Sequence, residues 1–515
     1  MTDSWDVIVV GAGSSGLALA ARLADRGARV LITEAGADFR SDALPTEWRS
    51  PNPINGFLSH TRDEYLWTEL RATRTELQEP SLLWRGRGVG GSSIVNGQIA
   101  IRPPAEDFDE WAEAGCPGWS YAEVLPYLCR LEDDLEFGGE SFHGAGGPIP
   151  IYRHPVSAWG AVDKGLRAAA LEHGFPWIED VNAPGATGVS PYPINSRDLR
   201  RVTTNDGYLE PRRGLANLKV RAKALVDSVL LRDGRAVGIR VADGSQVEAG
   251  QVVLAAGVIG SAEILMRSGI GPAAALRSLG IPVVQDLPVG QNLQDHPVLR
   301  LSLPLRPELA AGREDRHTNC CVRYSSGLDG PANDLMIVAM NQNVLALQGA
   351  DTRAGSGAVG VWLNRADSTG EVTLVSRDPR RSARVRERML SDETDLKRMR
   401  LGAQLLVDLL GSPALKDICA IDPRDVNRDF IEAAAGGASV NDVLLRGVSD
   451  AQHGTSTCRM GAADAGNVVV DPDCRVLGID RLSVVDASVL PFVPGANTNL
   501  VAIMLGEVMG DRLTL

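Results

Sequence analysis

Lysine is nearly absent from this sequence: five occur in 515 residues, although the basic residues total 52. Arginine supplies the rest, an excess that reads as coding bias in a GC-rich genome. Acidic residues outnumber basic ones and leave a formal net charge of −13. That balance argues against a nucleic-acid partner, because phosphate binding needs a basic face, and equally against an anionic membrane surface. Long apolar runs are lacking too. The longest, such as VIVVGAG and VVLAAGVIG, are too short and too rich in glycine to cross a bilayer. Aromatic residues make up only 5%, few for a site that stacks sugars or quaternary ammonium groups. The seven cysteines form no CxxC pair and no metal-ligand spacing. Such an odd, scattered set is expected to stay reduced, as in a cytoplasmic protein. The opening MTDSWDVIVVGAG has neither the basic leader nor the cleavage pattern of a secretory signal, which points to the same compartment.

Glycine, by contrast, is plentiful and falls in pattern. At roughly 150 residues per domain the chain predicts two to four units. The first begins at once. Asp6 to Val10 is a short apolar run suited to a strand buried on both faces. Gly11, Gly13 and Gly16 follow as GxGxxG, and a helical pattern carries Leu17, Ala20, Ala21 and Leu23 on one side. A second strand, RVLITEAG, ends in Glu34. Strand, glycine turn, helix, strand and acid make a dinucleotide-binding unit. Gly11 permits the tight turn, Gly13 lets backbone approach a pyrophosphate, and Gly16 lets helix pack on strand. The helix N-terminus supplies N–H donors and a positive dipole end to phosphate. Glu34 stands where a ribose-binding carboxylate belongs and disfavours the 2′-phosphate of NADP. The unit alone leaves NAD and FAD both open.

Five further stretches narrow the choice: RGRGVGGSSIVNG (85–97), GVIGSAEILMRSGIGP (257–272), PVGQNLQDHP (288–297), HGTSTCRMG (453–461) and VVDASVLPFVPGANTN (484–499). With the opening fingerprint they run from the first residues to the last helix. In that order the chain resembles the glucose–methanol–choline (GMC) family of flavin-dependent alcohol oxidoreductases. The resemblance implies an α/β protein, α+β overall, with a Rossmann-like FAD-binding domain and a discontinuous substrate-binding domain on an antiparallel sheet. It implies FAD as the cofactor. The cofactor-binding set is then Gly11, Gly13, Ser14, Ser15 and Gly16; Glu34 and Ala35; Arg87, Gly90, Gly91, Ser92, Val95, Asn96 and Gly97; Val226; Ala256 and Gly257; Asp486 and Ala487; and Asn497 and Thr498. Some relatives attach FAD through a histidine in the 85–97 loop. Val95 holds that position here and has no nucleophile, so a non-covalent FAD is expected.

HGTSTCRMG matches the family segment that carries the catalytic base, which gives that role to His453. Many relatives have glycine where this chain has Ser456. The second catalytic position, His or Asn in relatives, is assigned to Asn499, 46 residues on (499 − 453), with Asn497 the competing candidate. Either could instead cap the helix that follows. The pair fits the chemistry. Oxidising an alcohol removes a hydride from carbon and a proton from a weakly acidic hydroxyl. A neutral imidazole can take the proton, and an amide can hold the developing alkoxide. His296, before Pro297, is expected to be a structural turn residue and not a catalyst.

The FAD-binding domain is expected over 1–153, 200–300 and 450–515, and the substrate-binding domain over 154–199 and 301–449. NDLMIVAMN, SGAVGVWLN and GEVTLVSRDP have strand character for the antiparallel sheet, with Met340 and Trp362 candidates for the pocket wall. DETDLKRMRLGAQLLVDLL reads as an amphipathic helix with Leu396, Met399, Leu401, Leu405 and Leu409 on its apolar side. NLKVRAKALVDSVLL reads as one alternating strand, with Val226 offering backbone to adenine by the resemblance. The expected partners are a small-molecule alcohol and an external electron acceptor: a quinone, a redox protein or a dedicated redox cofactor. A non-oxygen acceptor is favoured, with alcohol oxidase and flavin-containing lyase as alternatives.

Overall fold

The computed structural model describes residues 5–344, 356–435 and 440–514. The opening motif folds as its pattern requires: strand β1 (Trp5–Val10), helix α1 (Ser14–Asp25) and strand β2 (Val30–Thr33). β1 and β2 are parallel, and strand Leu218–Arg221 extends the sheet beyond β2. On the other side β1 pairs in parallel with β3 (Gln246–Leu254). β3 has two halves. Its first residues alternate in exposure and pair antiparallel with Arg235–Val241, whereas Val252 to Leu254 are wholly buried between β1 and Leu482–Val484. A strand buried on both faces needs an unbroken apolar run, and one half exposed needs alternation. Helix α2 (Gly257–Arg267) follows β3 directly.

NLKVRAKALVDSVLL is two strands, not one. Leu218–Arg221 and Val226–Arg232 are separated where Lys223 takes φ +53° and bends the chain. The bend is held from outside the segment, since the N–H groups of Lys223 and Ala224 donate to the carbonyls of Gly36 and Glu34.

A second sheet is antiparallel throughout and has six strands, in the order 449–450, 297–303, 357–363, 335–340, 320–324, 188–191. Alternate residues divide between its faces. Leu299, Val322, Ile337 and Val361 pack against helix Glu393–Leu409, whereas Val338, Met340 and Trp362 turn to the opposite face with Ile99 and Tyr192. That helix starts where Asp392 caps the N–H of Thr394, but Leu401 on it is 44% exposed, while Arg398 is buried against Asp334 and Asp367. One sheet expectation fails. Glu371–Thr373 belongs to a separate four-stranded sheet, pairing with Arg384–Arg386, which in turn pairs with Arg71–Thr73. That sheet joins segments that the expected partition places in different domains.

The last helix, α3 (Thr498–Arg512), lies against α1. Contact is close: a Cβ on Gly506 would run into the carbonyl oxygen of Ser15. The fully buried Glu507 binds Arg22 through both Nε and Nη2 at 2.8 Å, Arg130 Nε at 2.7 Å and the Tyr208 hydroxyl at 2.6 Å. A buried carboxylate persists only with such saturation, and here it fixes where α3 begins relative to the glycine turn. All seven cysteines are unpaired, and no helix among the described residues is long and apolar enough to cross a membrane.

A second buried cluster lies elsewhere. His143 Nδ1 is 2.7 Å from Glu132 and its Nε2 is 2.8 Å from Asp180. Carboxylates only accept, so both ring nitrogens carry protons and the ring is a cation. With Arg102 and Arg153 it balances Glu132, Asp134 and Asp180. Burial alone would lower the pKa of His143, but the bonds to Asp180 and Glu132 outweigh it and raise it to about 9. The unfolded chain titrates near 6.5. The stabilisation is therefore fully present below about pH 6.5 and lost as pH rises through about 9, an effect of roughly 2–4 kcal/mol. His143→Gln should accordingly cost more stability at pH 6.5 than at pH 9.5 in urea unfolding. An equal cost at both values would show that His143 is not charged in the folded protein.

Candidate active site

One cavity of about 610 Å³ collects the motifs. Its lining includes Gly11, Gly13, Ser14, Ser15, Glu34, Ala35, Arg87, Gly91, Ser92, Val95, Asn96 and Gly97. Val226, Ala256, Gly257, Asp486, Ala487, Asn497, Thr498 and Asn499 complete the expected set, and His453 borders the same space. Two expected residues do not line it. Gly16 lies beneath, where a Cβ would strike the Gly11 carbonyl, and this is the helix-on-strand packing its place in the motif requires. Gly90 turns the chain at φ +111° and donates its N–H to the Ala12 carbonyl, so it shapes the loop from behind.

Several features of the wall suit a large anionic nucleotide. The N-termini of α1 and α3 both border the cavity, and neither helix has an acidic residue in its first turn. The positive ends of both dipoles are thus left for a ligand. A Cβ on Gly13 or Gly257 would meet nothing within 4 Å, so these backbones are open cradles. Glu34 does more than was expected of it. Its Oε1 accepts the N–H groups of Gly36 and Gly88 at 2.8 and 3.0 Å, and its Oε2 accepts that of Ala12 at 3.0 Å. It therefore ties three loops together and keeps one lone pair on Oε2 for a hydroxyl donor. Asp486 holds α2 by accepting from Gly257 N–H at 2.9 Å and from the Ser261 hydroxyl at 2.6 Å.

The histidines form a chain whose protons follow from their donors and acceptors together with the burial that keeps both rings neutral. His296 Nε2 lies 2.9 Å from the carbonyl of Pro494, which can only accept, so this nitrogen carries hydrogen. Burial lowers the pKa of His296 to about 4, so the ring is neutral and Nδ1 is bare. His453 Nδ1 lies 2.9 Å from that bare nitrogen and must donate to it. Burial, His296 and Arg85 hold His453 well below its ordinary pKa, so it too is neutral. Its Nε2 is therefore a lone pair, and Asn497 Nδ2 donates to it at 3.0 Å. The Tyr192 hydroxyl sets the amide by donating to Asn497 Oδ1 at 2.8 Å. Asp295 accepts the backbone N–H of His296 at 2.7 Å and that of His453, holding the two segments in register.

Two sequence expectations need correction here. His296 is no mere turn residue, because it fixes the tautomer of His453. Asn499 does not reach His453: its Oδ1 accepts from the Ser14 hydroxyl at 2.7 Å, and its amide faces Asn195 at 3.4 Å. Asn497 takes the place next to the histidine. It occupies the N-cap position of α3 but makes no capping bond, because its side chain is committed to His453. Residues one turn-step apart at a helix start face different ways, so a two-residue choice within NTN is a choice of direction. Ser456, where relatives often carry glycine, adopts φ +72°, a left-handed conformation that costs a non-glycine residue about 1 kcal/mol or more. Tyr192 and His317, also in the wall, belong to no motif, and the pairing of the adjacent strands 188–191 and 320–324 brings their flanking segments there.

The chain is similar to known proteins along nearly its whole length. Models of the GMC oxidoreductase family match residues 5–298 and 366–506. The chain is 35% identical to a 5-(hydroxymethyl)furfural oxidase of Methylovorus sp. (strain MP688), covering 100% of this chain and 99% of that protein. It is 32% identical to the mitochondrial choline dehydrogenase of Homo sapiens, over 99% of this chain and 89% of that one. Among solved structures, pyridoxine 4-oxidase from Mesorbium loti superposes with a TM-score of 0.87 at 27% identity, over 99% of both chains.

Proposed function

The chain belongs to the GMC oxidoreductase family, and on that premise we propose that it oxidises a primary or secondary alcohol to the carbonyl with His453 as the base. The observation that carries the reading is the bare Nε2 of His453, bordering the cavity and fixed in that tautomer by His296.

FAD is the cofactor that the cavity wall fits. Gly13, Ser14 and Ser15 would receive its diphosphate at the start of α1, Glu34 a ribose hydroxyl, Val226 the adenine, and Val95 to Gly97 with Ala487 and Thr498 the flavin end. A non-covalent hold is supported by the loop 85–97, which contains no His, Cys or Tyr. Bound FAD supplies the two-electron oxidant that takes the hydride from the carbinol carbon. The protein handles the proton. An alcohol hydroxyl entering the cavity would displace the Asn497 amide from the single lone pair of His453 Nε2 and donate there in its place. As the proton moves across, the ring becomes a cation with hydrogen on both nitrogens, and His453 Nδ1 keeps its bond to His296. The displaced Asn497 amide is then free to donate to the alkoxide oxygen. Proton transfer and alkoxide stabilisation are coupled through one hydrogen-bond switch.

For the electron acceptor we propose oxygen, because the relative matched at 35% identity over the full length is named as an oxidase. The non-oxygen acceptor favoured from the sequence is the second reading, supported by the 32% identical protein named as a dehydrogenase. The test is direct. The purified protein, reduced without air by an alcohol such as benzyl alcohol, is mixed with aerated buffer while the oxidised flavin band is followed. Return within seconds with stoichiometric peroxide is expected. Return over many minutes would give the second reading. A protein that carries no flavin, or a flavin that no alcohol reduces, would overturn the whole assignment.

A further inference from the structure

His317 borders the cavity, is 9% exposed, and plays no part in the proton chain. Its Nε2 lies 3.4 Å from where a Cβ on Gly97 would stand. Its Nδ1 is buried and finds no hydrogen-bond partner among the described residues. Burial holds the ring well below its ordinary pKa, and Arg316 and Arg201 push it the same way, so it is neutral. Either nitrogen of a neutral imidazole can carry the proton, so the ring can present an N–H to an acceptor in the cavity.

The two arginines are unusual in their own right. Arg201 donates to the carbonyls of Trp48 and Ser93 and to Asn96 Oδ1, and its Nη2 has no partner among the described residues. Arg316 donates to the carbonyls of Pro51 and Gly97, and its Nε has none. Both are buried, and burial lowers each to about 9. Asp206 and Asp163 act on them only at longer range than an ion pair. Among the described residues, two guanidinium charges are therefore buried around the 93–97 loop against carbonyl oxygens alone. Trp362 also lines the cavity, and its buried Nε1–H, which can only donate, finds no acceptor among the described residues. The surrounding wall is mostly apolar, with Phe57, Ile99, Val338, Met340 and Val344 beside the polar Thr318 and Gln342. Buried donors without acceptors in an apolar wall are rare and costly, and a positive field selects which acceptor relieves them.

We propose that the alcohol substrate carries a carboxylate, received by His317 in the field of Arg201 and Arg316. The proposal rests on the alcohol-oxidising reading for turnover, but the subsite can be read without turnover. The first experiment titrates the flavin-loaded protein with benzoate and with its neutral counterpart benzamide, following the flavin absorbance. Benzoate is expected to bind on the order of tenfold or more tightly than benzamide, the range of a hydrogen bond to a charged group. His317→Phe should abolish that difference, and His317→Gln, which keeps a donor, should retain part of it. The second experiment compares kcat/KM for 4-(hydroxymethyl)benzoate and benzyl alcohol, with the same direction and size of preference expected. Equal binding of benzoate and benzamide, or a preference that survives in His317→Phe, overturns the proposal. Should His317→Phe fail to retain flavin, the wild-type comparison and His317→Gln decide it. If neither alcohol reduces the flavin while benzoate still binds preferentially, the alcohol-oxidising reading fails and the anion subsite stands.

Discussion

His453→Ala should slow reduction of the bound flavin by alcohol by about 10²–10⁴-fold, the range that general base catalysis contributes. The size of the effect follows from the substrate. An aliphatic or benzylic hydroxyl does not ionise near neutral pH, so hydride loss without a proton acceptor leaves a protonated carbonyl, a high-energy species. His453 is suited to prevent this because its neutral form is secured twice, by burial and by its neighbours. Its Nε2 lone pair is secured by the fixed proton on Nδ1. Alanine removes the lone pair and leaves the cofactor wall untouched, since the residues around α1 and the 85–97 loop make no bond to the ring. The variant should therefore retain flavin at wild-type stoichiometry, as read by absorbance after purification. Anaerobic stopped-flow measures the loss. A rate within a few fold of wild type would remove His453 from the reaction, and loss of flavin together with activity would instead make it a structural residue.

The second large effect separates two asparagines two residues apart. Asn497→Ala is expected to slow flavin reduction about 10²–10³-fold, as loss of a donor to a developing oxyanion does elsewhere. Asn499→Ala is expected to slow it less than about tenfold. Asn497 donates to His453 Nε2 at 3.0 Å and is oriented by Tyr192, whereas Asn499 is engaged with Ser14 at the start of α1. The Asn499 variant should instead weaken retention of FAD, because Ser14 borders the proposed diphosphate position. The two readouts, reduction rate and flavin occupancy, should respond in opposite order in the two variants. The reverse order would restore Asn499 to the catalytic position and leave Asn497 as a positioning group.

Much of this site was legible before any coordinates. The GxGxxG turn, its strand and its helix are local: residues within about 30 positions satisfy one another, and apolar period and glycine placement suffice to describe them. His453 was legible by its segment. Choosing between Asn497 and Asn499 was not, because spacing along the chain does not say which way a side chain leaves the first turn of a helix. That direction depends on the seat of α3, which Glu507 sets by binding Arg22, Arg130 and Tyr208 from three distant parts of the chain.

His296 shows the same limit from the other side. Its sequence context, a turn before proline, is ordinary. Its role arises from 157 residues of separation closed to a 2.9 Å contact. Sheet membership behaved likewise: Glu371–Thr373 has strand character wherever it pairs, and only the fold assigned it to the smaller sheet.

By itself, then, the sequence determined the family, the nucleotide-binding unit and the candidate for the base, since each is written in residues close together. The tertiary structure alone decided the base's tautomer, its amide partner and the cationic wall around His317. Those properties belong to pairs of groups, and a hydrogen bond or a buried charge has no meaning until both partners have been brought within a few ångströms.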